Sequence, residues 1–326
     1  TMQPGDHTPN YTSLTDVTKI PALAKVEMSS KARRRSFLTW RTRLGCMGML
    51  ALIAGLTGIW VVGSAMTGAT NASVEPAPAP ATEIRLTTSD QVEIAASYWK
   101  ADDSTAPAIL LLHGNGGNRR DMLDMATWLA GEGYSVLSID MRGHGQSSPQ
   151  SKSFGYLEAR DAHAALAWLR QQHPASKLGA IGFSLGGAAS VLGDRGPLDV
   201  DALVMMSVYP DIRTAIFNRI EAAVGTLPAV AIEPMLSYQS IPRYGVGPDK
   251  LSPLAAMNKV RVPVMVVGGE LDAYTPPAEI EAMYRAAPPG SEWWILEGLG
   301  HDEVVRANDP AFRKKLETYL VRSLAR

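Results

Sequence analysis

The stretch GAIGFSLGGAAS, residues 179–190, decides the reading of this chain. An apolar run ends in Gly182-Phe183-Ser184-Leu185-Gly186-Gly187, and small residues follow. That pattern predicts a strand turning sharply into a helix, with Ser184 at the bend. A serine so placed points its hydroxyl out of the sheet, beside backbone N–H groups that stabilise negative charge. In a chain with 29 glycines the pattern G-x-S-x-G also arises by chance, so its surroundings must carry the argument.

Outward from that turn, strand and helix signals alternate from residue 83 onward. Residues 83–88 and 91–99 read as a hairpin. The continuous apolar runs 108–113, 134–140, 178–183, 202–208, 263–269 and 292–298 read as buried strands. Between and after them, 119–131, 156–172 and 309–324 carry helical periodicity. Buried strands alternating with amphipathic helices predict an α/β domain: a mostly parallel sheet of about eight strands, helices on both faces. Residues 210–250 break the alternation with Phe217, Met235, Tyr238, Tyr244 and several prolines and glycines; they are expected to form a short, partly helical lid.

In such sheets ligands bind beyond the carboxyl ends of the strands. Each candidate residue lies there. Ser184 needs a base, because its free hydroxyl is not ionised at neutral pH. His301, in the Gly298-Leu299-Gly300-His301 loop after the last strand, is the candidate. The imidazole in turn needs a carboxylate to fix its tautomer. Asp272, in GGELDAYTP after strand 263–269, fits, with Glu270 as competitor. Asp302 and Glu303 adjoin the histidine in sequence and are poor orienters. A tetrahedral intermediate also needs preorganised N–H donors. Leu185 N–H and Asn115 N–H, the latter in the His113-Gly114-Asn115-Gly116-Gly117 loop, are expected to form the oxyanion hole. His113 is expected to hold that loop by hydrogen bonds.

As a set, LLLHGNGGNRRD, SIDMRGHGQSS, GFSLGG, GGELDAYTP and GLGH resemble the α/β-hydrolase superfamily of serine esterases and lipases. The order Ser184, Asp272, His301 is also that superfamily's order. The HGNGGN form is similar to a membrane-associated subgroup of depalmitoylase-like and serine-aminopeptidase-like hydrolases. The resemblance covers about residues 83–324. It implies a serine hydrolase that works through an acyl-enzyme with no cofactor and no metal. It also implies a structural role for the turn Asp140, Arg142, Gly143, His144 and Gly145.

The remaining sequence bears on location. The chain has 326 residues, 46% of them hydrophobic, and a net charge of -1, which gives no reason to expect a nucleic-acid partner. Cys46 is the only cysteine, and no H-x-x-x-H pair occurs, so a metal site gets little support. Residues 1–43 are polar, lack an apolar period and end in a basic cluster (Lys31, Arg33, Arg34, Arg35, Arg41, Arg43); they are expected to be disordered. Residues 44–67 carry no charge and are long enough to cross a bilayer. The basic residues before them predict a cytoplasmic N-terminus and a catalytic domain (83–326) on the extracytoplasmic side. Two readings stay open: a retained single-pass signal anchor, or a cleaved signal, for which Arg34-Arg35-Ser36-Phe37-Leu38 resembles a twin-arginine motif. Residues 68–82, rich in Pro and Ala, are expected to form a semi-rigid spacer.

The expected partner is thus a small ester with a short to medium apolar acyl chain. A thioesterase, or an aminopeptidase or acyl-peptide hydrolase with Glu221 and Glu233 forming an acidic patch, is the alternative within enzymes. A membrane-tethered binding protein with an inactive hydrolase domain is the alternative outside them. An imidazole base stops accepting protons once charged, so activity is expected to fall as pH drops through the ordinary histidine range, about 6 to 7.

Overall fold

Ala108-Ile-Leu-Leu-Leu112 is a strand with every residue buried. Such a run can be covered only from both sides, and its alternation shows how. Ile109 and Leu111 belong to one apolar cluster, Leu110 and Leu112 to the other. Val264 and Val266 against Met265 and Val267 repeat the pattern three strands away. A computed structural model describes residues 30–306 and 308–325, with side chains from Phe37 onward. It divides into two units, one ending at Leu56 and one running from Thr57 to the C-terminus.

The strands, in chain order, are β1 (Thr70–Asn71), β2 (Thr82–Thr87), β3 (Glu93–Trp99), β4 (Ala108–Leu112) and β5 (Ser135–Ile139). There follow β6 (His144–Gly145), β7 (Leu178–Phe183), β8 (Ala202–Met206), β9 (Val264–Gly269) and β10 (Glu292–Leu296). Eight form one sheet in the order β10-β9-β8-β7-β4-β5-β3-β2. The pairs from β10 to β5 are parallel; β5–β3 and β3–β2 are antiparallel. Order reverses beside β4 and β7, the switch point where α/β sheets open a crevice. Helices Glu158–Gln172 and Pro277–Ala286 cover one face with Ala162, Ala165, Leu169, Ile280 and Met283. Helices Leu123–Gly131 and Pro310–Leu324 cover the other with Met125, Leu129, Phe312, Leu316 and Leu320.

The predicted lid is helical through most of its length: Ile212–Val224, Thr226–Ser237 and Ser240–Tyr244. It has its own small core of Ile212, Ile216, Leu236 and Leu251, joined by the half-buried Ile59, Met66 and Phe154.

Two N-terminal segments are more ordered than their composition suggests. Helix begins at Ser30, inside the segment expected to be disordered, and continues to Thr67. Lys, Ala, Arg and Leu are good helix formers, and neither Gly nor Pro interrupts the chain between Ser30 and Gly45. Residues 1–29 of that expectation lie outside the described residues. The stretch Phe37–Thr67 is long and apolar enough to cross a membrane, with a mean hydropathy of 2.0 in its most apolar window. Residues 68–82, expected as a semi-rigid spacer, are also fastened to the domain. Thr70 and Asn71 pair with His144 and Gly145, and the Asn71 amide donates to the carbonyls of Gly145 (3.0 Å) and Ser147 (2.6 Å). Val74 is buried. Composition predicted stiffness; an asparagine side chain able to serve as a backbone surrogate adds adhesion.

Candidate active site

Ser184 follows β7 directly, with φ +49° and ψ −110°. A non-glycine residue at that φ costs on the order of 1–3 kcal/mol and persists only when both flanks are fixed. They are. Ser184 N–H donates to Met206 O of β8 (2.8 Å), and Ala188 N–H donates to Ser184 O in the following helical turn (3.0 Å). Two glycines make the bend possible. A Cβ on Gly182 would fall 2.5 Å from Gly187 N, and one on Gly186 would fall 2.2 Å from Leu112 O. Strand, turn and helix therefore close on one another more tightly than alanine permits.

The loop after β10 brings His301 over this bend. Its Nε2 lies 3.1 Å from Ser184 Oγ, and its Nδ1 lies 2.7 Å from Asp272 Oδ2. A carboxylate accepts, so Nδ1 carries the proton and Nε2 turns a lone pair toward the serine hydroxyl. Phe183 and Tyr274 flank the imidazole at 5.1 and 5.4 Å between ring centroids. Asp272 leaves β9 through Gly269 and is buried. Oδ1 accepts from the N–H groups of Tyr274 (2.9 Å) and Thr275 (2.8 Å), and Oδ2 from Thr275 Oγ1 (2.5 Å). Burial raises the carboxyl's pKa, but the donors of His301 and Thr275 outweigh it and hold Asp272 below the usual aspartate range. The competing acids are engaged elsewhere. Glu270 accepts from Gly298 N–H (2.9 Å), and Glu303 accepts from Gly300 N–H (2.5 Å).

Asn115 and Leu185 border the same cavity as Ser184. Phe154, Tyr209, Ile212, Ile216, Met66 and Arg219 are among the residues of its wall. Beneath the Asn115 loop, His113 Nδ1 donates to Gly114 O (2.7 Å) and Nε2 accepts from Met141 N–H (3.0 Å). Burial pushes His113 down to about 4; burial and the facing His113 do the same to His144. Both are therefore neutral at pH 7. Asp140 accepts from Arg119 N–H (2.7 Å), the Arg119 guanidinium and Gln146 N–H (2.8 Å). Arg142 is bonded to Asp161 and Asp90. The turn after β5 is thus tied down by its own polar network, away from Ser184.

Of the two lid glutamates considered as an acidic patch, Glu233 pairs with Arg213 (2.9 Å) and Glu221 accepts from Thr226 Oγ1 (2.7 Å). Neither borders the Ser184 cavity. Among the described residues no cluster of three or more His, Cys, Asp or Glu is placed to hold a metal.

Sequence reasoning did not single out Thr275, Tyr274, Met66 or Arg219. Thr275 had a signal: Asp272 followed by Thr at the third position is an Asx-type turn, whose carboxylate bonds the backbone ahead of it. Met66 had none, since it sits in a run read only for its length and apolarity. Arg219 lines the cavity, and its guanidinium lies 4.9 Å from the Tyr274 ring centroid.

A family model described as the alpha/beta hydrolase fold matches residues 107–223, and one described as TAP-like protein matches 245–324. An uncharacterized protein of Mycobacterium tuberculosis is 27% identical over 226 residues, 68% of this chain and 72% of that one. A lysophosphatidylserine lipase of Danio rerio is 33% identical over 130 residues, 38% of this chain and 33% of that one. Among solved structures, an esterase of Pyrococcus furiosus superposes with a TM-score of 0.63 at 19% identity, covering 79% of this chain and 99% of that one.

Proposed function

Because the chain belongs to the α/β-hydrolase superfamily, we propose that Ser184, His301 and Asp272 form the catalytic triad of a serine carboxylic-ester hydrolase. The observation that carries this reading is the unbroken chain from Asp272 Oδ2 through both imidazole nitrogens to Ser184 Oγ, at 2.7 and 3.1 Å. His301 Nε2 takes the hydroxyl proton as Oγ attacks the ester carbonyl. The N–H groups of Asn115 and Leu185 meet the developing oxyanion. The C–O bond to the alcohol breaks, and the alcohol leaves with the proton from Nε2. Water, deprotonated by the same nitrogen, then attacks the acyl-enzyme and frees the carboxylic acid and Ser184.

The substrate we assign is an ester with a short to medium apolar acyl chain. Phe154, Ile212 and Ile216 supply apolar wall beside the nucleophile. An aminopeptidase reading is disfavoured, because the charge at this cavity is the cation Arg219, which repels a substrate ammonium. Residues 44–67 we read as a retained anchor, with Arg41 and Arg43 on the cytoplasmic side and the hydrolase domain outside.

A fluorophosphonate probe tests the nucleophile. Labelling of the folded chain that disappears in Ser184→Ala supports the triad. Labelling that survives the substitution overturns it. Rates on p-nitrophenyl esters from acetate to dodecanoate test the substrate class, and a preference for aminoacyl amides would count against it.

A further inference from the structure

The last turns of the N-terminal helix do not end at the surface of the larger unit. Gly63 and Thr67 are buried there, and Met66 is half-buried. Lys152 N–H donates to Thr67 O (2.7 Å). From the lid, Gln239 Nε2 donates to Ile59 O (3.1 Å), and Arg243 donates to Trp60 O (3.0 Å) and Ser64 Oγ (2.9 Å). The Arg243 guanidinium also stacks 4.1 Å from the Trp60 ring centroid. At Gly63 the approach is close: a Cβ would fall 2.1 Å from Gln239 Oε1. These contacts hold the helix end under the lid.

The consequence lies in the cavities. The one beside Ser184 has Met66 in its wall. A second, narrow and largely apolar cavity adjoins it, lined by Gly63, Thr67, Leu236 and Leu251. The two share Met66, Phe154, Ile212 and Ile216. An apolar lining continuous from the nucleophile into the lid core suits a hydrocarbon chain, which gains by leaving water and asks for no hydrogen bond.

We propose that the end of the apolar N-terminal helix forms part of the acyl-binding site, with Met66 standing between the two cavities and setting how long an acyl chain the enzyme accepts. The assignment rests on the Ser184 reading above. It makes the helix a part of the substrate site as well as an anchor, so the working chain retains it.

Two measurements on the full chain in detergent or lipid nanodiscs test this. The first is kcat/KM along the p-nitrophenyl ester series for Met66→Trp, Met66→Ala and a control, Val61→Trp, whose parent side chain is exposed. The octanoate-to-acetate ratio falls at least tenfold in Met66→Trp. In Met66→Ala the preferred chain lengthens by two or more carbons, and this variant carries the test if the bulkier one misfolds. Val61→Trp keeps the ratio within twofold. A profile unchanged in shape in Met66→Ala and Met66→Trp overturns the proposal, even if all rates fall together. The second is the intact mass of the protein extracted from membranes. Retention of residues 44–67 supports the proposal, and a chain beginning at or beyond Met66 overturns it. Ester hydrolysis that survives Ser184→Ala would instead sink the reading on which the proposal rests, so the two failures are distinguishable.

Discussion

The sheet end that carries Ser184, His301 and Asp272 and the lid that covers them are built on opposite terms. At the sheet end, the chain leaves the parallel strands β7, β9 and β10 on one rim, and glycines let backbone touch backbone. Ser184 is held from both flanks, and Asp272 accepts three bonds besides that of His301. The lid has a core of only a few side chains, while Leu227 is 86% exposed and Val230 61%. Regions with few buried contacts open at lower free energy. Groups aligned for a proton transfer tolerate no drift; an apolar wall can repack. Position is therefore invested in the sheet, and adaptability in the lid.

The contrast predicts a ranking of effects. Asp272→Asn leaves the imidazole in the wrong tautomer and should lower kcat/KM on a p-nitrophenyl ester by about 10³–10⁴-fold, with little change in the melting temperature. A loss below tenfold would mean that Asp272 does not orient His301. Thr275→Val removes one hydroxyl donor from that carboxylate while keeping the Thr275 N–H contact; a fall of roughly 10- to 100-fold is expected, seen in kcat more than KM.

Acid should act on the buried loops. Burial holds His113 and His144 at about 4, below the ordinary value of 6.5. Between those values the unfolded chain binds more protons than the folded one. Stability contributed by the neutral rings is thus complete above about pH 6.5 and is lost as pH falls toward about 4, by a few kcal/mol. Denaturant midpoints across that range check the sign. The smallest effect belongs to the lid surface. Leu227→Ser, at an exposed position, should change folding stability by less than about 0.5 kcal/mol. A larger loss would mean that the lid is as tightly built as the sheet.

Most of the sheet was legible because its signals are local. The run 108–113 announced a buried strand, and the turn at Gly182–Gly187 announced a bend that only small residues allow. His301 and Asp272 were legible because topology places the residues after parallel strands on one rim. Thr275 was recoverable from its spacing to Asp272. Met66 was not: its place in the cavity depends on Gln239 and Arg243, more than 170 positions away, and no local pattern encodes such a meeting. The stitching of Asn71 to the β6 turn escaped for the same reason, and so did the start of the helix at Ser30, where charge was read as irregularity although the residues favour helix.

The pairing of Thr70 and Asn71 with His144 and Gly145 leaves residues 68–82 without slack. A flexible tether of that length would let a domain wander over about 20 Å. Fastened down, the segment gives no such freedom: it moves as one piece with the strand it is paired to, an added edge of the larger unit rather than a leash.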